Sequence, residues 1–410
     1  MSEIITRRNF IKASSLGAAA LTLSPQTLFA NPDKKQKKPL IQGFEDEGKL
    51  LDVHSGWVPV SDRKIKVGLI GYGLCQFSAI FSFQGHPNVD VVAVSDLIPE
   101  RCEKLAKTAP GSKMYPSLEE LVKDPEVEAV FICTDAPNHF KHTMLALEHG
   151  KHVACAVPAV YGNLDDAYKL MEKVKETGLT YMMFETSAYH EDVYAMRELY
   201  RHDVFGKIVY AEGEYYHYMP QPLESFKGWR IGLPPMWYPT HATGYYVCVT
   251  GQPFTEVSCQ GTKSIHAHLQ SDGNVYMNPF GTEIALFRTQ DGGSARIAVS
   301  WDTPGVYGEM GRIRGHKGTY YNDEFKTDTP YSSDISAYRI QKPPIPPKVE
   351  PGGHGGSHGY LTDEFINSIL QERKPLVDVA MSLNLTVPGI VAHMSALRDG
   401  ELLKIPQFTF

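Results

Sequence analysis

The stretch from Lys66 to Asp96, KVGLIGYGLCQFSAIFSFQGHPNVDVVAVSD, leaves this chain fewer choices than any other segment. It opens on an apolar run, Val67 to Ile70, which reads as a fully buried strand. Gly71-Tyr72-Gly73 follows at once, then a helix-length segment from about Leu74 to Phe83. A second β-branched run, Val89 to Val94, ends in Ser95-Asp96. Strand, glycine turn, helix, strand and acid form the first half of a dinucleotide-binding unit. Gly71 permits the tight turn, and Gly73 has no Cβ, so a pyrophosphate can approach the backbone beside Leu74. Asp96 stands where a carboxylate can bond a ribose diol, and an acid there favours NAD because a 2′-phosphate is repelled. The third glycine position of G-x-G-x-x-G holds Gln76, so helix and strand cannot pack as closely there.

Strands and helices keep alternating up to residue 188. Val127 to Cys133, Lys151 to Cys155 and Thr180 to Phe184 read as strands. Pro99 to Lys107, Phe140 to Glu148 and Leu164 to Glu176 read as helices, the last stopped by Gly178. This rhythm predicts an α/β Rossmann domain, a doubly wound parallel sheet. After residue 190 the rhythm changes. One helix, Val193 to Arg201, precedes four extended segments: Lys207 to Tyr216, Thr255 to Thr262, Gly281 to Gln290 and Ser294 to Trp301. They predict an α+β domain with an open, mainly antiparallel sheet. Residues 322–357, rich in Pro, Gly and Asp, read as a long loop, and Tyr360 to Gln371 and Val379 to Gly400 as returning helices. The expected division is 63–188 for the nucleotide domain, 189–375 for a substrate and oligomerisation domain, and 376–410 for a helix and tail packing back on the body.

The N-terminus carries an address. Thr6-Arg7-Arg8-Asn9-Phe10-Ile11-Lys12 precedes an apolar stretch from Leu16 to Leu23, and Leu28-Phe29-Ala30 offers a processing site. Residues 1–30 read as a twin-arginine signal peptide and 31–62 as a linker or arm, which implies a periplasmic protein exported after folding. The apolar run is too short for a stable membrane anchor. A dinucleotide enzyme sent to that compartment is expected to carry NAD bound and to regenerate it in place. The net charge of −7 argues against nucleic acid as a partner. Six cysteines show no zinc spacing, and no metal site is expected.

The glycine turn, Thr134 with Asn138-His139, Gly150-Lys151-His152-Val153 and the Pro158 turn together resemble the Gfo/Idh/MocA oxidoreductases. The resemblance covers roughly residues 63 to 400. It implies hydride transfer between a nicotinamide and a sugar or polyol hydroxyl, a carbohydrate or glycoside substrate, and a homo-oligomer. It adds Thr134, Asn138, His139, Val157 and Pro158 to Gly71, Gly73, Leu74 and Asp96 as candidate cofactor-binding residues. The family's usual Glu-Lys-Pro turn is Ala156-Val157-Pro158 here, so its catalytic lysine has no counterpart at this place. Val157-Pro158-Ala159, Tyr238-Pro239-Thr240-His241 and Gly353-His354-Gly355-Gly356 are similar to glycoside hydrolase family 109. Those enzymes hold NAD tightly and cleave glycosides through transient oxidation at C3. Their turn carries a Glu where this chain has Ala156.

Oxidising a secondary alcohol needs a base for the hydroxyl proton. His241 is the first candidate, since imidazole can take a proton near neutral pH. Tyr238 is expected to bond a sugar hydroxyl or assist the proton transfer, with Tyr307 as a second phenol. Glu185 follows the last Rossmann strand and is a candidate to replace the missing carboxylate. His354 and His358 lie in a flexible glycine loop without a third nearby ligand, which reads as a loop closing over substrate. The expected activity is NAD-dependent oxidation of a carbohydrate or glycoside hydroxyl at C3. A glycosidase and a non-catalytic sugar-binding protein are the two alternatives.

Overall fold

The computed structural model describes residues 53–305, 308–321, 324–327 and 340–410. The first sheet is built from β1 (Ile65–Ile70), β2 (Val89–Ser95), β3 (Lys113–Tyr115), β4 (Ala129–Ile132), β5 (His152–Cys155) and β6 (Tyr181–Met183). Its order is β3-β2-β1-β4-β5-β6, and every pairing is parallel. β4 is buried along its whole length and β1 along nearly all of it, as strands covered by helices on both faces require. The order reverses between β1 and β4, and that switch point opens the crevice used by doubly wound sheets.

The helix expected from Leu74 to Phe83 is only four residues long, Phe77–Ile80. Gln76 (φ 51°) and Ser82 (φ 63°) take left-handed backbone on either side of it. Phe81 and Phe83 are both buried, and residues two apart cannot share one helix face, so the chain turns between them. Their rings join Phe131, Phe184 and Phe365 in one aromatic core. The helix His358–Leu370 supplies Phe365 and so fixes the glycine loop before it.

The second sheet contains β7 (Ile208–Tyr216), β8 (Phe254–Lys263), β9 (Phe280–Thr289), β10 (Ser294–Ser300), β11 (Gly308–Gly315), β12 (Gly318–Tyr321), β13 (Glu324–Thr327) and β14 (Leu403–Lys404). Its order is β13-β12-β11-β7-β10-β9-β8-β14. Only the β10–β7 pairing is parallel; the others are antiparallel. The four extended segments read from the sequence became β7 to β10, whereas β3, β11 and β12 gave no signal that was recognised.

One face of this sheet is covered by the helices Thr240–Thr250 and Val379–Ala396. The approach is close: a Cβ on Gly213 would stand 1.9 Å from the Ala242 carbonyl oxygen, so only glycine fits there. On the other face Glu212 pairs with Arg296 and Arg312 across neighbouring strands, and Leu286 is exposed. Val379–Ala396 is the one helix among the described residues long and apolar enough to cross a membrane, and 89% of it is buried inside the protein. It therefore reads as a core helix. All six cysteines are free thiols.

Candidate active site

A cleft of about 480 Å³ runs from the glycine turn to the second domain. Gly71 (φ +90°) makes the turn, and a Cβ there would lie 2.5 Å from the Cys133 carbonyl oxygen. At Gly73 a Cβ would meet nothing within 4 Å, so this backbone faces open space, as a bound pyrophosphate requires. Leu74 is exposed beside it. Asp96 directly follows β2, its carboxylate fixed by two amides, Tyr72 N–H to Oδ2 at 2.7 Å and Ile98 N–H to Oδ1 at 2.8 Å. A carboxylate offers about four lone-pair positions, so Asp96 can still accept from a ribose. The residues present therefore fit an NAD molecule laid across the switch point.

The remaining candidate cofactor residues lie near this cleft in different states. Thr134 Oγ1 is 2.8 Å from His142 Nδ1, and Asn138 donates to Asp135 at 2.7 Å. Ala156 and Val157 line the cleft floor. His139 is turned inward: its ring nitrogens face the carbonyl oxygens of Pro158 at 2.9 Å and Thr134 at 3.1 Å. Burial opposes a charge on His139, but Cys155 and the two carbonyls raise its pKa to about 9. Its side chain ties two loops together, and its contacts with the backbone occupy both nitrogens.

On the second domain the cleft is lined by Trp229, Arg230 and Tyr238. The guanidinium of Arg230 lies over the Trp229 ring at 4.2 Å. Next to Tyr238 stands His241, ring centroids 5.8 Å apart, with Tyr215 edge-on to it at 4.8 Å. Burial pushes the Tyr238 phenol well above its ordinary pKa, so it serves as a neutral hydrogen-bonding group.

His241 is held from one side. Its Nδ1 is 2.9 Å from Glu185 Oε1 and 3.5 Å from Glu309 Oε1. Among the described residues every polar contact of this ring is made at Nδ1, and the ring stands next to Tyr238, which lines the cleft. Burial works against a proton on His241; the two carboxylates outweigh it and raise the pKa to about 9. Burial alone would raise Glu185, but the His241 charge, the Thr240 hydroxyl and the Ser187 amide hold it low, at about 2. Glu185 also lies at the N-terminus of the helix Thr240–Thr250, whose dipole favours an anion. It is completely buried, so it stands behind His241 rather than in the cleft, and does not take the place of a carboxylate at Ala156.

The glycine loop arrives from the far side. His354 (φ 49°) lies parallel to His241 at 6.2 Å, and its Nδ1 is 2.9 Å from His358 Nε2. His358 stacks on Phe81 at 4.0 Å. Burial lowers both pKa values to about 4, so both rings are neutral at physiological pH. Glu185, His241 and Glu309 bring three ligand atoms within 4.8 Å of one another, a donor set compatible with a divalent cation. Tyr307 lies outside the described residues, as does the N-terminal segment read as an export signal.

The sequence reading singled out His241, Tyr238 and Glu185, which the fold brings together. It passed over Glu309, Tyr215, Trp229 and Arg230. The segment around Glu309 carries no apolar alternation, so neither its strand nor its acid was conspicuous.

Residues 65–185 match the family model described as oxidoreductase family, NAD-binding Rossmann fold (GFO_IDH_MocA), and residues 193–321 match the GFO/IDH/MocA C-terminal domain. Together the two span more than half of the chain. A protein of Bacteroides thetaiotaomicron named glycosyl hydrolase family 109 protein 1 is 26% identical over 451 aligned positions, covering 96% of this chain and 95% of that one. The WlbA dehydrogenase from Bordetella pertussis, solved with NADH and UDP-GlcNAcA, superposes with a TM-score of 0.68 at 19% identity, covering 85% of this chain and 99% of its own. The scyllo-inositol dehydrogenase from Lactobacillus casei, solved with NAD(H) and scyllo-inositol, gives 0.64 at 15% identity, covering 83% and 99%.

Proposed function

Because this chain belongs to the Gfo/Idh/MocA oxidoreductases and binds NAD through its Rossmann domain, we propose that it oxidises a carbohydrate or glycoside hydroxyl, at C3, with His241 managing the hydroxyl proton. The observation that carries this reading is the His241 ring, backed by Glu185 at Nδ1, with no polar contact at Nε2 among the described residues, next to Tyr238 of the cleft. NAD bound in the cleft supplies a two-electron acceptor for the hydrogen on the reacting carbon. The chain supplies the rest. Trp229 and Tyr238 offer aromatic faces on which a sugar ring can lie, and the Tyr238 hydroxyl can bond one of its oxygens. Glu185 fixes the orientation of the imidazole and stabilises its protonated form. The sugar relatives named above support the substrate class.

The state of His241 sets a direction. Its pKa is raised, so below about pH 9 the free enzyme holds an imidazolium. An imidazolium can donate a proton to a keto-sugar but cannot accept one from an alcohol. The kcat/KM for oxidation is therefore expected to climb as pH rises toward about 9, and that for keto-sugar reduction to fall through the same range. Profiles flat from pH 6 to 10 in both directions would remove His241 from the reaction.

A second reading, a glycosidase of the family 109 type, has the 26% identical relative in its favour. Against it stands Ala156, which gives the cleft no carboxylate to take the proton next to a C3 ketone. The test is the nicotinamide absorbance of the mature protein during incubation with a panel of glycosides, followed by product analysis. A rise with a keto-sugar accumulating supports the oxidoreductase. Release of free sugar without net change in cofactor selects the glycosidase. Sugar binding with no reduction leaves a binding protein.

We also propose that the protein is exported with NAD bound and recycles it in place, which the Arg7-Arg8 motif supports. Replacing both arginines by lysine is expected to leave the protein in the cytoplasm, and mature protein purified without nucleotide would count against the recycling. The open face of the second sheet, with Leu286 60% exposed, is the surface expected to meet a second copy.

A further inference from the structure

The pyrophosphate of a dinucleotide is a dianion, and a doubly wound fold ordinarily meets it with the N-terminus of the helix after the glycine turn. Here that helix is only Phe77–Ile80, and Gln76 before it takes left-handed backbone. A single turn of helix has little dipole to offer, and the turn from Gly71 to Gln76 contains no cationic side chain. We propose that Lys227, carried into the cleft by the second domain, supplies the missing charge and pairs with the pyrophosphate of the bound dinucleotide. This rests on the reading that NAD lies across the switch point.

Lys227 reaches the cleft on a strap held at both ends by the second domain. At one end the Met219 amide donates to the Trp301 carbonyl at 2.7 Å. At the other the Tyr276 hydroxyl donates to the Trp229 carbonyl at 2.7 Å, and Tyr161 meets the Trp229 ring edge-on at 6.0 Å. Between these points the chain forms one short turn, Phe226–Gly228. Glu224, Phe226 and Lys227 line the same cleft that Gly71 and Gly73 line from the nucleotide domain. The strap also touches that domain, with Glu224 Oε1 3.5 Å from Arg101 Nη2.

Two features of Lys227 point to an anion. Its backbone is left-handed, φ 51° and ψ 22°, a corner that glycine adopts freely and a lysine does not, so the fold keeps a side chain where a glycine would be easier. Its ammonium lies over the Phe226 ring at 5.2 Å and meets no carboxylate among the described residues. The other cations of the second domain and of the Asp96 end are placed differently. Arg230 is spread over Trp229 on the sugar side, Arg101 faces Glu224, and Lys104 stands one turn further along the same helix, Pro99–Thr108. A phosphate held by Lys227 ties the cofactor to both domains at once. The strap must then lift before the nucleotide leaves, which suits a cofactor kept through many turnovers.

The test uses the mature protein loaded with NADH, as wild type, K227Q, K227R and K227G. Release of NADH is followed by nicotinamide fluorescence during a chase with excess NAD, at low and at high salt. The pyrophosphate itself is followed by phosphorus NMR of the bound cofactor. K227Q is expected to release NADH about tenfold faster than wild type, the effect of losing one hydrogen bond between charged groups. K227R should restore slow release. K227G should release as fast as K227Q with no loss of thermal stability, because it removes the charge while relieving the backbone corner. High salt should speed release from wild type more than from K227Q. The proposal is overturned if K227Q releases NADH at the wild-type rate, if K227R is as fast as K227Q, or if the phosphorus signals of K227Q and wild type coincide. It is also overturned if release from K227Q and from wild type respond equally to salt, since the lysine would then only pack. Wild-type protein that holds no NADH would remove the cofactor assignment as well, whereas wild type and K227Q holding it equally removes only the role of Lys227.

Discussion

Among the described residues two buried histidine–glutamate pairs, His393–Glu283 and His241–Glu185, are built alike at Nδ1 and differ in what else surrounds them. In one, His393 Nδ1 is 2.8 Å from Glu283 Oε1, and Glu283 Oε2 accepts the Met236 amide at 2.8 Å. Both oxygens are satisfied, and the pair ties the helix Val379–Ala396 to β9 and to the turn Pro235–Trp237 just before Tyr238. In the other, His241 faces two carboxylates, and among the described residues Glu185 Oε2 is buried beside Thr240 outside hydrogen-bond geometry. A buried pair whose carboxylate has both oxygens engaged serves as a clamp, because removing either partner strands a buried group. A buried ring that faces a second carboxylate can change its protonation state without rearranging its surroundings.

That contrast can be broken by mutation. The largest effect is expected for His241→Gln: a loss of about 10²- to 10⁴-fold in kcat/KM with the fold intact, read by turnover and circular dichroism. An equally large loss of thermal stability would show that His241 is a second clamp. Glu283→Ala should do the reverse and cost about 3–5 kcal/mol in denaturant unfolding, because His393 and the Met236 amide lose their acceptor. The folded fraction should keep the wild-type pH profile of kcat. A displaced profile would place the Glu283 pair in the chemistry. The smallest effect is expected for Tyr238→Phe, which keeps the ring and removes one hydroxyl. It should cost about 0.5–1.5 kcal/mol, seen in KM for the sugar more than in the pH profile.

The nucleotide half was legible because its signals are local. Gly71, Gly73 and Asp96 lie within one strand–turn–strand unit, where spacing along the chain fixes spacing in space. Even there the helix was misjudged, since burying both Phe81 and Phe83 outweighed helical continuity. His241 was legible through the residues around it, Tyr238-Pro239-Thr240. Its partners were not: Glu185 looked like a group facing the cleft, and Glu309 looked like nothing, because β11 has no apolar alternation.

The sequence by itself determined the parallel nucleotide-binding sheet, the acid at the end of β2, the change to an open sheet after residue 190, and the absence of a carboxylate and a lysine at Ala156-Val157. Only the tertiary structure decided what surrounds His241. Glu185 comes from the end of the first domain, His241 from a helix, Glu309 from β11, and His354 from a loop before the last helices. Chain separation carries distance information only within one element. Between elements, distance is set by which strands are neighbours and how closely a helix can approach them, as at Gly213, and a local pattern does not encode either.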